Sequence, residues 1–222
     1  NLSRYVYVLI LSSFSLLFYV YKIAGTRLIL QEEIKHKILQ QAIKIAPFEG
    51  WSKEMLHQAS VKAGFDENMA ELQFMNGTMG LLDYYLNDLD QQMIAKIRAL
   101  PLDKMKVREK IKQAVVIRLG LMKKPVASKT VSFLALPFNI PSAMSFTWRT
   151  VDKMWYEAGD TATDFNHYTK RTLLAGVYSS TLMYWLNDDS KDHHSTWEFL
   201  DRRIEDVLKA GNFMRKFSTQ TS

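Results

Sequence analysis

From about residue 30 to the C-terminus, apolar residues recur at spacings of three and four, and nowhere do they alternate with period two over a useful length. A chain patterned this way can bury its apolar stripes only by packing helix on helix, so the fold is expected to be all-α. Leu82, Tyr85, Leu86, Leu89, Met93 and Ile97 form one stripe, ending before Pro101. Ile111, Ala114, Val115, Leu119 and Met122 form another, on a strongly basic helix. A helix from about Ala143 carries Met144, Phe146, Trp148, Val151, Met154 and Trp155. The helix from Asp164 to Leu186 carries Leu174, Val177, Tyr178, Leu182 and Trp185, and the last carries Trp197, Leu200, Ile204, Val207 and Leu208.

Local signals mark where helices stop and start. Glu32–Ala46 places Ile34, Ile38, Ala42 and Ile45 on one face, and "PFEGW" at 47–51 is expected to end it. Ser52 is placed to cap a second helix ending at Gly64, and Asp66 a short third one reaching about Phe74. Three short helices in this order have the outline of a helix-turn-helix. The two prolines of "LPFNIPS" at 136–142 predict a kinked connection, and Ser195 with Glu198 reads as a capping box. Gly176, Ser179 and Ser180 form a small-residue face on which another helix can approach closely, so a homodimer is expected.

The N-terminal run "YVYVLILSSFSLLFYVY", Tyr5–Tyr21, has no charge and is about 25 Å long as a helix, slightly short of a bilayer core. Tyrosines bound it, and Lys22, Arg27, Lys35 and Lys37 follow while Arg4 alone precedes, a bias that would leave the body on the cytoplasmic or matrix side. A membrane anchor, a cleaved signal and a plain extension are the alternatives. The chain thus reads as an apolar segment at 1–30, a helix-turn-helix-like part with a long connecting helix at 31–100, a helical bundle at 101–215 and a tail at 216–222.

Charge is unevenly spread. Lys104, Lys106, Arg108, Lys110, Lys112, Arg118, Lys123, Lys124 and Lys129 face one acid, Glu109, whereas Gly64–Asp90 holds Asp66, Glu67, Glu71, Asp83, Asp88 and Asp90 and no base. The second observation argues against DNA recognition: "GFDENMAELQF" would turn carboxylates toward phosphates. The first suits an anionic membrane surface, with Lys106, Lys110 and Lys112 as contacts. With no cysteine, disulfides and thiolate metal sites are excluded. Asp164 and His167 form one D-x-x-H pair, short of the ligand set that a di-iron bundle needs, and His193 and His194 sit in a polar loop. No nucleophile elbow and no phosphate-binding glycine loop occurs. The residues therefore suggest a non-catalytic binding protein near a membrane, with no metal and no catalytic residue assigned.

"MWYEAGDTATDFNHYTKRTLLAGVYSSTLMYWLND", with "LPFNIPS" before it and "TWEFLDRRIEDV" after it, resembles the coenzyme Q biosynthesis accessory family, the ninth Coq protein. The resemblance runs from about Glu32 to Phe213 and is strongest from Leu136 onward. It implies a TetR-like bundle of about nine helices with a vestigial helix-turn-helix, a homodimer and no nucleic-acid binding. It also implies that isoprenoid lipid, or a quinone carrying such a tail, is bound in a hydrophobic pocket and presented at the membrane to the di-iron demethoxyubiquinone hydroxylase. Matched residue by residue, the hydroxylase-docking patch falls on Asp152, Met154, Trp155, His167 and Tyr168. Family members often have Trp or another large aromatic where this chain has His167. Large apolar residues expected to line the pocket are Phe133, Leu134, Phe138, Met144, Phe146, Trp148, Leu174, Tyr178 and Leu182. Mitochondrial members add a C-terminal amphipathic membrane helix, so membrane contact here is expected from the N-terminal run or the basic helix. The implied location is the cytoplasmic face of a bacterial inner membrane or the matrix side of the mitochondrial one. The rival reading is a TetR-like transcriptional regulator with a lipophilic ligand.

Overall fold

The computed structural model describes the backbone of residues 2–160 and 165–220 and the side chains of 25–160 and 167–207. Among these residues there are nine α-helices, three short 3-10 turns and no strand. They run α1 (Leu2–Glu49), α2 (Lys53–Lys62), α3 (Met69–Gln73), α4 (Thr78–Arg98), α5 (Val107–Gly120), α6 (Lys124–Leu134), α7 (Ile140–Glu157), α8 (Phe165–Leu186) and α9 (His194–Gln220). The chain divides into two compact units, residues 1–81 and 82–222.

In the first unit, α1 packs on α2 and α3 through Ile38, Leu39, Ala42, Ile45 and Ala46, which meet a core containing Trp51, Met55, Leu56, Ala59, Ala70 and Phe74. Helix α1 passes through Pro47, where the sequence suggested a stop. So near its end a proline costs the helix one backbone bond, and the true stop is Gly50, at φ 75°, whose N–H donates to the Ala46 carbonyl at 2.9 Å. Ser52 caps α2, its Oγ accepting from the Met55 N–H at 3.0 Å. Asp66 instead accepts from the Asn68 N–H at 2.9 Å, closing a turn before α3 rather than capping it, so α3 starts about two residues later than expected. Gly80, in the first turn of α4, lies so close to the preceding loop that a Cβ there would stand 1.9 Å from the Met75 carbonyl oxygen.

The second unit buries every residue of the α4 stripe from Leu82 to Ile97 and every residue of the α5 stripe from Ile111 to Met122. Helices α7 and α8 pack together, α8 packs on α9, α5 touches α7, α8 and α9, and α6 lies against α7 and α8. The basic stretch is two helices, α5 ending at Gly120 and α6 starting with Pro125 in its first turn. Helix α7 begins at Ile140, earlier than predicted, because Pro141 fits a first helical turn. Helix α9 is capped by Asp188, whose Oδ2 accepts from the Thr196 N–H at 2.9 Å and whose Oδ1 accepts from the Ser190 N–H at 2.8 Å. Those hydrogen bonds hold its carboxyl well below the usual carboxylate range. Glu198, expected to complete a capping box, pairs with His194 one turn back at 3.3 Å.

One charged cluster is sealed inside this unit. Asp90 is 0% exposed and Arg118 1%; Arg118 Nε donates to Asp90 Oδ1 at 2.9 Å, and Thr150 Oγ1 donates to the same oxygen at 2.9 Å. Lys153 Nζ reaches Asn87 Oδ1 at 2.9 Å and Asp90 Oδ2 at 3.4 Å. Burial also pushes the nearby Tyr85 hydroxyl up to about 12, so it stays protonated. Among the described residues no helix is long and apolar enough to cross a membrane; the apolar run 5–21 lies outside the described side chains.

Candidate functional site

Of the residues singled out for docking, Asp152, Trp155, His167 and Tyr168 lie where the end of α7 faces the start of α8. Arg171, 3% exposed, donates from Nε to Asp152 Oδ1 and from one Nη to Asp160 Oδ2 at 3.1 Å and to the His167 carbonyl at 3.2 Å. Lys170 Nζ donates to Asp160 Oδ1 at 2.7 Å and stands 5.5 Å from the Trp155 ring centre, while the Trp155 indole N–H donates to the Lys170 carbonyl at 3.1 Å. Burial alone would raise the Asp160 carboxyl, but the hydrogen bonds and charges of Lys170 and Arg171 outweigh it and hold it below the ordinary value. Two cations and two carboxylates thus brace α7 against α8. Arg98 adds a forked pair to Glu157, at 2.8 and 2.6 Å, tying the end of α4 to the end of α7.

On this brace stand the aromatic rings. Tyr168 is 61% exposed, stacks against Trp148 at 6.1 Å between ring centres, and meets His167 edge-on at 5.2 Å. Trp155 and His167 are half-buried, and Asp152, though engaged by Arg171, keeps 46% of its side chain exposed. Met154 points the other way and is 0% exposed, in the core beside Val151. Tyr156, 66% exposed, is a further ring at this end of α7 that sequence reasoning left out. Its exposure had no local signal, because a Tyr after a Trp fits a buried stripe equally well. Asp164 of the D-x-x-H pair lies outside the described residues, which omit 161–164, and among the described ones no group of three His, Asp or Glu could hold a metal.

The nine side chains expected around a lipid occupy three environments. Leu174 and Tyr178 are buried; Phe133, Leu134, Phe146, Trp148 and Leu182 are half-buried; Phe138 and Met144 face outward. Of the three lysines expected at a membrane, Lys106 is exposed and Lys110 half-buried, while Lys112 is held by Asp201 at 2.7 Å. The small-residue face of α8 is open: Gly176 and Ser179 are exposed, with Met183 and Tyr184 exposed further along the same helix and Tyr184 stacked on Phe199 at 4.6 Å.

The order of helices is that of TetR-type proteins. A TetR transcriptional regulator from Nitrosomonas europaea superposes with a TM-score of 0.64 at 17% identity, covering 79% of this chain and 98% of that one. The protein is therefore an all-α chain of TetR-like fold. Within that class the sequence is specific: the COQ9 family model matches residues 140–211, the span holding the braced corner. The mitochondrial ubiquinone biosynthesis protein COQ9 of Rattus norvegicus is 32% identical over 190 residues, 82% of this chain and 61% of that protein. COQ9-B of Xenopus laevis is 30% identical over 199 residues, 85% of this chain and 67% of that protein. The chain belongs to the COQ9 family, and it spans about three-fifths of the length of the rat relative it matches.

Proposed function

We propose that this protein is a non-catalytic accessory factor of ubiquinone biosynthesis, which binds isoprenoid lipid and presents quinone intermediates to the di-iron demethoxyubiquinone hydroxylase at a membrane. The observation that carries the reading is the α7–α8 corner. There, within the span matched by the family model, Trp155, His167 and Tyr168 are held on a rigid ionic brace with Tyr168 exposed. A preorganised aromatic cluster loses little entropy when a partner covers it, which favours a protein-docking role. The lipid part rests on chemistry: moving a polyisoprenoid tail into water costs about 0.8 kcal/mol per CH₂. Leu174 and Tyr178 are buried and Phe133, Leu134, Phe146, Trp148 and Leu182 half-buried, apolar company for such a tail. The open α8 face with Gly176 and Ser179 supports a homodimer.

Affinity capture of the hydroxylase, together with mass spectrometry of co-purified lipid, tests this directly. Retained hydroxylase and an isoprenoid species are expected, and His167→Trp, which enlarges the ring at that contact, should tighten capture. Neither hydroxylase nor isoprenoid retained would remove the reading.

The TetR-like fold gives a regulator reading its one support. Against it, two bases of α2 are already engaged by acids in or next to α3: Lys53 Nζ with Glu71 at 3.0 Å, and the His57 ring with Glu67 at 3.2 Å and Glu71 at 2.9 Å. A DNA-shift assay at moderate salt should show no complex.

A further inference from the structure

The turn between α6 and α7 gathers four exposed large apolar side chains that the docking corner does not use. Within nine residues, Leu136 is 40% exposed, Phe138 77%, Ile140 47% and Met144 69%. Ile140 and Met144 are one turn apart on α7 and so share a face, at the end of the helix that the turn enters. The turn itself is pinned. Asn139, 5% exposed, donates from its side-chain nitrogen to the Phe133 carbonyl at 2.8 Å and from its backbone N–H to the Leu136 carbonyl at 2.8 Å. Phe138 therefore projects from a fixed 3-10 turn, at a steady solvation cost that a monomer in water has no reason to bear.

Charge says what kind of partner suits this surface. No Asp or Glu occurs between Glu109 and Asp152, while Lys129 lies half-buried in the helix leading to the turn and Lys123 stands at the N-cap of that helix, at its far end from the turn. Lys129 is five residues from the end of α6, about 7.5 Å along its axis, within a Debye length of the apolar tip. Lys123 is exposed at the start of the same helix. A hydrophobic tip backed by lysines, with acids excluded from the whole stretch, matches the interfacial layer of an anionic bilayer, where apolar side chains enter the acyl boundary and ammonium groups meet phosphates.

We propose that the α6–α7 corner is a membrane-insertion wedge, with Leu136, Phe138, Ile140 and Met144 entering an anionic bilayer and Lys123 and Lys129 contacting its headgroups. This deepens the proposed function, since it rests on the protein working at a membrane. It assigns Phe138 and Met144 to the bilayer rather than to a held lipid.

The absence of cysteine makes the test clean, because each introduced cysteine is the sole labelling site. Phe138→Cys, Met144→Cys and, as a control in the first unit, the exposed Leu72→Cys would each carry an environment-sensitive fluorophore in the otherwise intact chain. With vesicles of phosphatidylglycerol and phosphatidylcholine, labels at 138 and 144 should brighten, shift to the blue and be quenched by lipids spin-labelled in their acyl chains. The label at 72 should not respond, nor should any label with phosphatidylcholine alone. Unlabelled Phe138→Ser should partition about tenfold more weakly, and Lys123→Gln with Lys129→Gln should weaken anionic binding severalfold. If the protein sediments with vesicles but labels at 138 and 144 stay unchanged, the wedge is wrong while membrane association stands. If the protein does not sediment, the wedge is also wrong. If those labels respond to protein concentration without vesicles, the corner is instead a contact between copies. Hydroxylase capture and lipid co-purification use no vesicles, so failure of the proposed function shows separately.

Discussion

Helix α7 carries an aspartate–arginine cluster on each side, and the two differ in what surrounds them. On the inner side Thr150 joins Asp90 and Arg118, both essentially without solvent. On the outer side Arg171 joins Asp152 to Asp160, with Arg171 buried but the Asp152 side chain nearly half exposed. The inner pair holds its partners in a low-dielectric core, where the desolvation of both ions offsets much of their attraction. The outer set has water on one flank and aromatic rings on the other, so its bonds serve to fix ring positions more than to stabilise the fold. One helix thus joins a sealed interior to a surface prepared for contact.

That contrast can be broken most forcefully from the inside. Arg118→Met strands the Asp90 carboxylate and should cost about 3–5 kcal/mol of unfolding free energy in urea titration. Adding Asp90→Leu should recover most of the loss, since an apolar pair of similar volume is tolerated there. Arg171→Met on the outside should cost less, about 2 kcal/mol, yet reduce hydroxylase capture more than its stability loss explains, because the α7–α8 brace goes with it.

A pH series should sharpen the same difference. The Asp160 carboxyl lies below its ordinary value of 3.8 in the folded chain. Its contribution is therefore complete above that value and is lost as pH falls from it toward the lower folded value. The melting temperature should drop across that window, and Asp160→Asn should flatten the slope. The smallest change in stability belongs to Tyr168→Ala, within about 0.5 kcal/mol of the parent for so exposed a ring. The same change should weaken hydroxylase binding about tenfold or more, as loss of an aromatic anchor does.

What was legible in the sequence follows from range. The α4, α5 and α8 stripes are periodic within one helix, and the structure buries α4 and α5 wholly and α8 all but Leu182. The Ser52 cap needs three residues of context and was equally readable. Pro47 and Ser195 misled because each is a valid signal with a nearby competitor, Gly50 and Asp188, which took the roles instead, whereas Asp66 is spent on a turn and α3 starts after Asn68 without a side-chain cap. The aromatics proposed for docking come from family likeness, whereas the groups that hold them do not. Asp152 and Arg171 are 19 residues apart and Asp90 and Arg118 are 28, distances at which no periodic pattern links one charge to another. Met154 shows the remaining limit, since a motif conveys which residues travel together but not which way each one faces.

Gly80 has a consequence that reaches beyond this one fold. A side chain there would occupy the space of the Met75 carbonyl, while Cβ atoms added at Gly25, Gly120 or Gly176 would meet nothing within 4 Å. In a library where every glycine codon is randomised and survivors are sequenced, Gly25 and Gly120 should drift freely toward alanine. Gly80 should come back almost unchanged, a codon that selection cannot spare because backbone already fills the space a side chain would need.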